Sequence, residues 1–243
     1  MKILVIGESC HDIFIYGSAN RLCPEAPVPV FNPISIIKNG GMAKNVYKNL
    51  LSLNIEANLF TNENYSSITK TRYIDYNMNY MFLRVDENDD QYGRANLKRL
   101  RYKNYDAVII SDYDKGFLTQ EDIQHISKKH CNVFLDTKKI LGSWCNDIKY
   151  IKINKSEYER TKHTVSKEIL DKLIITMGSE GCKHQDIFYP VTKVEIKDPV
   201  GAGDTFISGL VAQFVKSNNI EEAICFANQC ATSVVQKRGT SII

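Results

Sequence analysis

Five short apolar runs, each ending on polar residues, constrain this chain more than any other feature. Ile3-Leu4-Val5-Ile6 leads into Gly7-Glu8, Val108-Ile109-Ile110 into Ser111-Asp112, and Val133-Phe134-Leu135 into Asp136. Ile151 and Ile153 lead to Asn154, and Leu173-Ile174-Ile175 leads to Thr176 and Gly178. Short runs without polar alternation suit strands buried on both faces, as in a parallel sheet covered by helices. Polar residues at the C-terminal ends of such strands mark the edge where open α/β sheets bind ligands. The pattern predicts an α/β fold with a mostly parallel central sheet and a single functional edge. A length of 243 residues suits one large domain, or one domain with a small appendage.

Helical stripes lie between several of these runs. Ala43, Val46, Tyr47 and Leu50 follow Gly40-Gly41. Phe206, Ile207, Leu210, Val211 and Phe214 form a second stripe, and Ile220 to Val235 a third that closes on Lys237-Arg238-Gly239, a helix stop of cations and then glycine. Residues 13–37 break the alternation. They hold Pro24, Pro27, Pro29 and Pro33, around strand-like pieces Phe14-Ile15-Tyr16 and Val28-Pro29-Val30-Phe31. Prolines at this density suit edge strands and exposed connections. With Tyr80 to Val85, these pieces predict a small β flap beside the main sheet.

Bulk properties exclude several classes. A formal net charge of +3 without a Lys/Arg block gives no case for nucleic acid. The densest basic spot, Lys98-Arg99 with Arg101 and Lys103, reads as a solvated helix face. No apolar run approaches a membrane span, and MKILVIGES is too short for a signal peptide's apolar region. Seven cysteines without a CxxC pair predict free thiols, a reducing compartment and a cytoplasmic address. GESCHD after the first strand lacks the G-x-G-x-x-G spacing of a dinucleotide oxidoreductase.

The chemistry concentrates in DPVGAGDTF, Asp198 to Phe206. A helix beginning here has first amides without intrahelical partners, at the positive end of its dipole. Gly201 and Gly203 let a ligand approach the backbone, and such a place suits phosphate. Asp204 would repel that phosphate unless something lies between them. A hydroxyl donating its hydrogen to Asp204 fits, attacking a phosphorus whose oxygens the amides stabilise. At a helix N-terminus, an ionised Asp204 is expected to be a weak base by pKa, suited to accepting a proton late. The same segment also fits an N-cap aspartate after a tight turn. GGMAKN repeats the theme of glycines before a helix, with Asn45 in the first turn. Asp12 follows the first strand and is expected at the same edge; an ordinary turn explains each of these alone.

Taken in order, the stretch with Asp12, GGMAKN, NKSE (Asn154 to Glu157), TMGSEG (Thr176 to Gly181) and DPVGAGDTF resembles the ribokinase-like, or PfkB, carbohydrate kinases from Lys2 to Ser241. RLCPEAPVPVF (Arg21 to Phe31), ITKTR (Ile68 to Arg72), LRVD (Leu83 to Asp86), SDYDKG (Ser111 to Gly116) and FANQCATSVVQKRGTS are similar to the branch acting on heptose 7-phosphate. The resemblance implies a ribokinase-like three-layer sandwich, with residues 1–243 as one kinase domain and a β lid from about 13–37 and 69–88. It implies Asp204 as base and the amides of Gly201, Ala202 and Gly203 as anion hole. Asp12, Gly40, Gly41 and Asn45 match sugar-binding positions; Arg72, Arg84 and Lys115 are candidates for the substrate's own phosphate, with surface ion pairs as the alternative. Asn154 and Glu157 match the motif organising magnesium and the nucleotide phosphates. Thr176, Gly178 and Gly181 match the nucleotide loop, and Asn228 the adenine side. ATP and Mg2+ follow as cofactors, with a monovalent cation near Asp198 left open. The partners implied are a sugar phosphate and a second copy of the chain through the lid.

The match also departs from the family. The chain passes quickly from Asn58-Leu59-Phe60 to Ile68, where the family has a strand-helix unit, and it is abbreviated after Glu157. No HxGH signature of the nucleotidyltransferase often joined to heptose kinases occurs, so transfer to a nucleotide is expected from another protein. A kinase for a different sugar, or a degenerate kinase that binds sugar or nucleotide without turnover, stands as the alternative.

Overall fold

The computed structural model describes residues 1–237, 239, 242 and 243. Arg238 of the predicted helix stop, and Thr240 and Ser241 near the end of the resemblance, lie outside the described residues. In chain order the first half contains β1 (Lys2–Gly7), β2 (His11–Ser18), β3 (Asn32–Asn39), α1 (Gly41–Ser52), β4 (Glu56–Phe60), β5 (Thr69–Asp75), β6 (Met81–Glu87) and β7 (Ala107–Asp112). The second contains α2 (Gln120–Lys129), β8 (Val133–Thr137), β9 (Tyr150–Asn154), α3 (Lys155–Thr161), α4 (Lys167–Leu170), β10 (Leu173–Thr176), β11 (Gly181–His184), β12 (Ile187–Pro190), α5 (Ala202–Ser217) and α6 (Ile220–Val234).

The main sheet runs β12-β11-β10-β9-β8-β7-β1-β4. It is parallel from β10 to β4, and β11 and β12 add antiparallel strands at one edge. All five apolar runs of the sequence are strands of this parallel part. Alternate residues of each strand serve opposite cores. Leu4, Ile6, Val108, Ile110, Val133 and Leu135 pack with Ile123 and Ile126 of α2. Ile3, Val5, Ile109, Phe134 and Ile174 pack with Val46 and Leu50 of α1, Leu210 and Phe214 of α5, and Ile224 of α6. Helices therefore cover both faces, giving the three-layer sandwich. Because both faces are dry, the strand C-termini and the loops beyond them are where polar chemistry can sit.

The second sheet, ordered β3-β2-β5-β6, is the flap. Its strands do not follow every expected piece. Val28 to Phe31 is not a strand; only an isolated bridge joins Pro29 to Leu22, and the partner of β2 is Asn32–Asn39. The prolines at 24, 27 and 29 break the backbone ladder, and pairing resumes beyond them. Asp12 is also relocated: it lies on β2 of this sheet, not on the edge of the main one. The basic spot at 98–103 forms two 3-10 turns, Leu97–Arg99 and Tyr102–Asn104, in place of a helix face. Lys98, Arg101 and Lys103 are exposed there.

Candidate active site

Asp204 stands in the first turn of α5, and two cavities meet at it. The helix starts on Gly201, which adopts φ 84° and offers no capping side chain. The first-turn amides are thus not closed by a cap. Ala202 departs from the expected amide row, since its N–H donates to Pro199 O at 3.3 Å. A Cβ at Gly203 would lie 2.8 Å from Lys152 Nζ, so a larger residue there would displace the lysine head from beside the turn. The Asp204 side chain is 5% exposed. Asn45 Nδ2 donates to its Oδ2 and the Tyr113 hydroxyl donates to its Oδ1, both at 2.9 Å. Burial pushes its pKa up to about 6, against the Asn45 hydrogen bond; Asp136 adds to the rise, while Lys152 and Tyr113 oppose it. This corrects the weak base expected from the helix terminus. A dipole contributes about 0.3–1 kcal/mol, whereas a rise from 3.8 to about 6 corresponds to about 3 kcal/mol.

The first cavity, about 570 Å³, opens on one side of Asp204 along the ends of β8, β9 and β10. Asn154, Thr176, Gly178, Gly181, Gly201, Ala202, Gly203 and Asn228 all line it. Gly178 and Gly181 have φ of 58° and 109°; the first favours glycine, and the second requires it because a Cβ would collide with Tyr189 O. Asn228 Nδ2 donates to Tyr189 O at 3.1 Å, tying α6 to β12. Glu157 is not on the cavity wall. It closes a capping box, its Oε2 accepting from Asn154 N at 2.7 Å and Asn154 Oδ1 accepting from Glu157 N at 2.9 Å. Its Oε1 pairs with Lys138, which does line the cavity. Among the described residues no group of three or more His, Cys, Asp or Glu is arranged to hold a metal.

The second cavity, about 420 Å³, lies between the flap and the main sheet. Cross-strand register builds its wall. Asp12, Lys70 and Asp86 form one rung across β2, β5 and β6, and Phe14, Arg72 and Arg84 form the next. Residues directly opposite share a face, so both rungs turn charge inward. Arg72 pairs with Asp12, and Arg84 Nε and Nη2 grip Asp86 at 2.7 and 2.8 Å. Lys70 and Lys115 converge on Asp89, with Tyr92 donating to the same carboxylate. Burial works against that charge, but hydrogen bonds from Lys115, Lys70 and Tyr92 hold Asp89 down at about 2. Gly41 and Met42 complete the wall, and Gly41 has a φ of 50° that favours glycine, with a Cβ there only 3.0 Å from Cys10 Sγ. Gly40 lines neither cavity and serves as the cap position of α1.

Tyr113, Lys138, Gly201 and Asp204 line both cavities. The sequence reading missed Tyr113, Lys138, Lys152, Asp136, Lys70 and Asp89. Some left a signal. Lys152 sits between Ile151 and Ile153 in a strand buried on both faces, so it needs a counter-charge. Asp136 provides it from the facing position of β8, at 2.7 Å. Lys70 shares the parity of Arg72 in ITKTR and hence its face. Nothing local in the sequence points to Asp89.

Such an arrangement, an acid at a helix N-terminus between two polar cavities on a doubly covered parallel sheet, defines a phosphotransferase of the ribokinase fold. Solved structures agree on the fold. Ribokinase of Arabidopsis thaliana, complexed with ribose and ATP, superposes with a TM-score of 0.70 at 14% identity, over 98% of this chain and 93% of that one. Nucleoside kinase of Burkholderia thailandensis, in complex with inosine, gives 0.73 at 15% identity, over 98% and 91%. The model of the pfkB family carbohydrate kinase matches residues 90–243. The chain belongs to this family and is a sugar kinase. Among curated proteins it is similar to bifunctional protein HldE of Helicobacter pylori strain J99, 30% identical over 296 aligned positions, covering 99% of this chain and 64% of that protein. HldE of Haemophilus influenzae strain Rd is 30% identical over 295 positions, covering 100% and 61%. The chain therefore spans less than two thirds of the length of these curated relatives. No helix among the described residues is long and apolar enough to cross a membrane, and all seven cysteines are free thiols.

Proposed function

We propose that this chain transfers the γ-phosphate of ATP to the anomeric hydroxyl of a heptose 7-phosphate, giving the 1,7-bisphosphate for ADP- or GDP-heptose synthesis. The observation that carries the reading is the shared wall: Asp204 and Gly201 border both cavities, so a nucleotide and a sugar could approach one carboxylate from opposite sides. Five cations around the second cavity, Lys70, Arg72, Arg84, Lys115 and the shared Lys138, favour a substrate that already carries phosphate. The heptose rests on PEAPVPV, SDYDKG and the similarity to HldE.

In this reading the nucleotide lies in the first cavity, with its phosphates toward the amides of Gly201 and Gly203, the Ala202 amide being taken by Pro199 O. Thr176, Gly178 and Gly181 form the loop beneath it, and Asn228 borders the adenine end. The sugar occupies the second cavity against Asp12 and Gly41, while Asn45, which lines neither cavity, acts by holding Asp204. Asp204, ionised above pH of about 6, accepts the hydroxyl proton as the oxygen attacks phosphorus. Its raised pKa makes it a better acceptor at neutral pH than a surface aspartate. Magnesium supplies charge neutralisation on the phosphates. It typically keeps waters and few protein ligands; Asn154, on the cavity wall, would approach it, while Glu157, off the wall and paired with Lys138, would act only by holding Asn154. Closing the flap would exclude water as a competing acceptor.

A homodimer through the flap belongs to the same proposal. The flap's outer face carries Ile34 and Ile36 of β3 and Leu83 and Val85 of β6, all exposed. Sedimentation of the wild type against Ile36→Glu tests it; a monomer in both discards the dimer.

The deciding assay is coupled ADP release with heptose 7-phosphate, fructose 6-phosphate and ribose as acceptors. Turnover with the heptose phosphate above the others is expected. Turnover confined to another sugar keeps the kinase and replaces the substrate; turnover with none favours a binding protein.

A further inference from the structure

Glu8 is 0% exposed, at the end of β1, and lines neither cavity. Its carboxylate is committed to two backbone amides more than a hundred residues away. Oε2 accepts from Tyr113 N at 2.9 Å, and Oε1 accepts from Lys115 N at 3.1 Å. Its carbonyl accepts from Ala43 N at 2.9 Å, at the start of α1. One residue thus joins the first strand to two of the segments that line the second cavity, the start of α1 and the Tyr113 loop.

This is a costly way to hold a loop. Burial and then the charge of Asp112 push the Glu8 pKa up, while the amides of Tyr113 and Lys115 oppose them. An apolar side chain would avoid the expense of a buried charge. The rest of the loop is tied by side chains, Asp114 to Lys139 and Lys115 to Asp89, and it turns through φ of 57° at Asp114 and 88° at Gly116, so the Glu8 carboxylate is what fixes the Tyr113 and Lys115 amides themselves. This loop delivers the Tyr113 hydroxyl to Asp204 Oδ1 and turns Lys115 into the second cavity. We propose that Glu8 is a positioning residue for phosphoryl transfer: by holding the Tyr113 and Lys115 amides it keeps the Tyr113 hydroxyl on the Asp204 carboxylate. This rests on Asp204 acting as the base.

The coupling has a measurable sign. A hydroxyl donated to the ionised carboxylate lowers its pKa, so losing it raises the pKa. Tyr113 remains a donor because burial pushes its own pKa well above the usual value. The other groups acting on Asp204 are Asn45 of α1, Asp136 of β8, Lys138 beyond β8 and Lys152 of β9, none of which hydrogen-bonds to the Glu8 carboxylate. Facing Glu8 itself is Asp112 of β7, held by Lys139 and Thr137.

The experiment is the pH profile of kcat/KM for the full chain and for Glu8→Gln, Tyr113→Phe and the double variant. Tyr113→Phe is expected to move the acid limb up by about one pH unit. Glu8→Gln should move it in the same direction, and the double variant no further than Tyr113→Phe alone. An acid limb unmoved in Glu8→Gln, or shifts that add in the double variant, overturns the proposal. Should Glu8→Gln fail to fold, Glu8→Asp, one methylene too short to hold both amides, is read the same way. A wild type with no acid limb near pH 6 faults the base assignment itself and the proposal with it.

Discussion

The two cavities that meet at Asp204 are built on opposite plans. The first is assembled from segments that are each continuous in sequence: the turn before α5, the start of α3 and the glycine loop after β10. Glycines provide the clearance, and the side chains of Tyr113, Asp136, Lys138 and Lys152 share the wall. The second is assembled from side chains on three strands of the flap and two loops, with charges already paired among themselves. A surface of amides needs no counter-ion when empty. A surface of side-chain cations does, which is why Asp12, Asp86 and Asp89 stand among them. An anionic ligand in the second must therefore compete with these carboxylates, while the first sets its glycine turns beside two lysines already paired with Asp136 and Glu157.

The largest expected effect falls on the wall they share. Asp204→Asn should lower kcat by about 10²–10⁴-fold, the range for a positioned proton acceptor, while calorimetric binding of sugar phosphate is retained. Turnover near that of the wild type would mean the carboxylate only ties the first turn of α5 to Asn45 and Tyr113, and the two cavities would lose their common purpose.

Next comes the ion pair that anchors the second cavity. Arg72 and Asp12 are both buried, so Arg72→Met leaves an unpaired buried carboxylate and should cost about 3–5 kcal/mol in urea unfolding. Weaker sugar-phosphate binding should accompany it, with nucleotide binding unchanged. Equal losses on both sides would show that the cavities are one cooperative unit.

A smaller effect, of opposite direction, is expected from Asp204 on stability. Its folded pKa of about 6 lies above its unfolded value near 3.8. Between these values unfolding releases a proton, so the wild type loses stability as pH rises through that window and then levels off. Asp204→Asn lacks the cost. The variant's stability advantage should grow by about 1 kcal/mol between pH 5 and pH 7 and stay flat above. Denaturant midpoints at several pH values measure it, and an advantage independent of pH would place the carboxylate in solvent.

The difference in plan also explains what the sequence could reveal. The main sheet was legible because each buried strand is a contiguous apolar run, and the first cavity because its parts are short motifs at strand ends. For the second, Asp12 and Arg72 were recognisable, but their meeting depends on β2 pairing with β5 in one register, which pattern alone does not specify. Asp89 lies in a loop and gains its role only from Lys70 and Lys115 arriving from elsewhere. The misjudged basicity of Asp204 has the same origin: the helix terminus is local and visible, while the burial that outweighs it comes from α1, β8 and the Tyr113 loop.

On the nucleotide side, Asn154→Ala removes the cap of α3 and should cost about 1 kcal/mol. It should weaken nucleotide binding and leave the sugar side intact, as titration of each ligand separately would report.

The smallest expected change in stability is also the sharpest test of the contrast. Arg84 and Asp86 form a pair with 41% and 30% of their side chains exposed. Solvent screens such a pair, and removing it typically costs about 0–1 kcal/mol. Arg84→Ala should therefore shift the unfolding midpoint barely, if at all. Its guanidinium nevertheless faces the second cavity, in the rung opposite Arg72. If that cavity takes a sugar phosphate, KM for the phosphorylated sugar should rise severalfold while KM for ATP holds. If KM stays level for both substrates, Arg84 is a surface ion pair and the phosphate contacts fall to Lys70, Arg72 and Lys115.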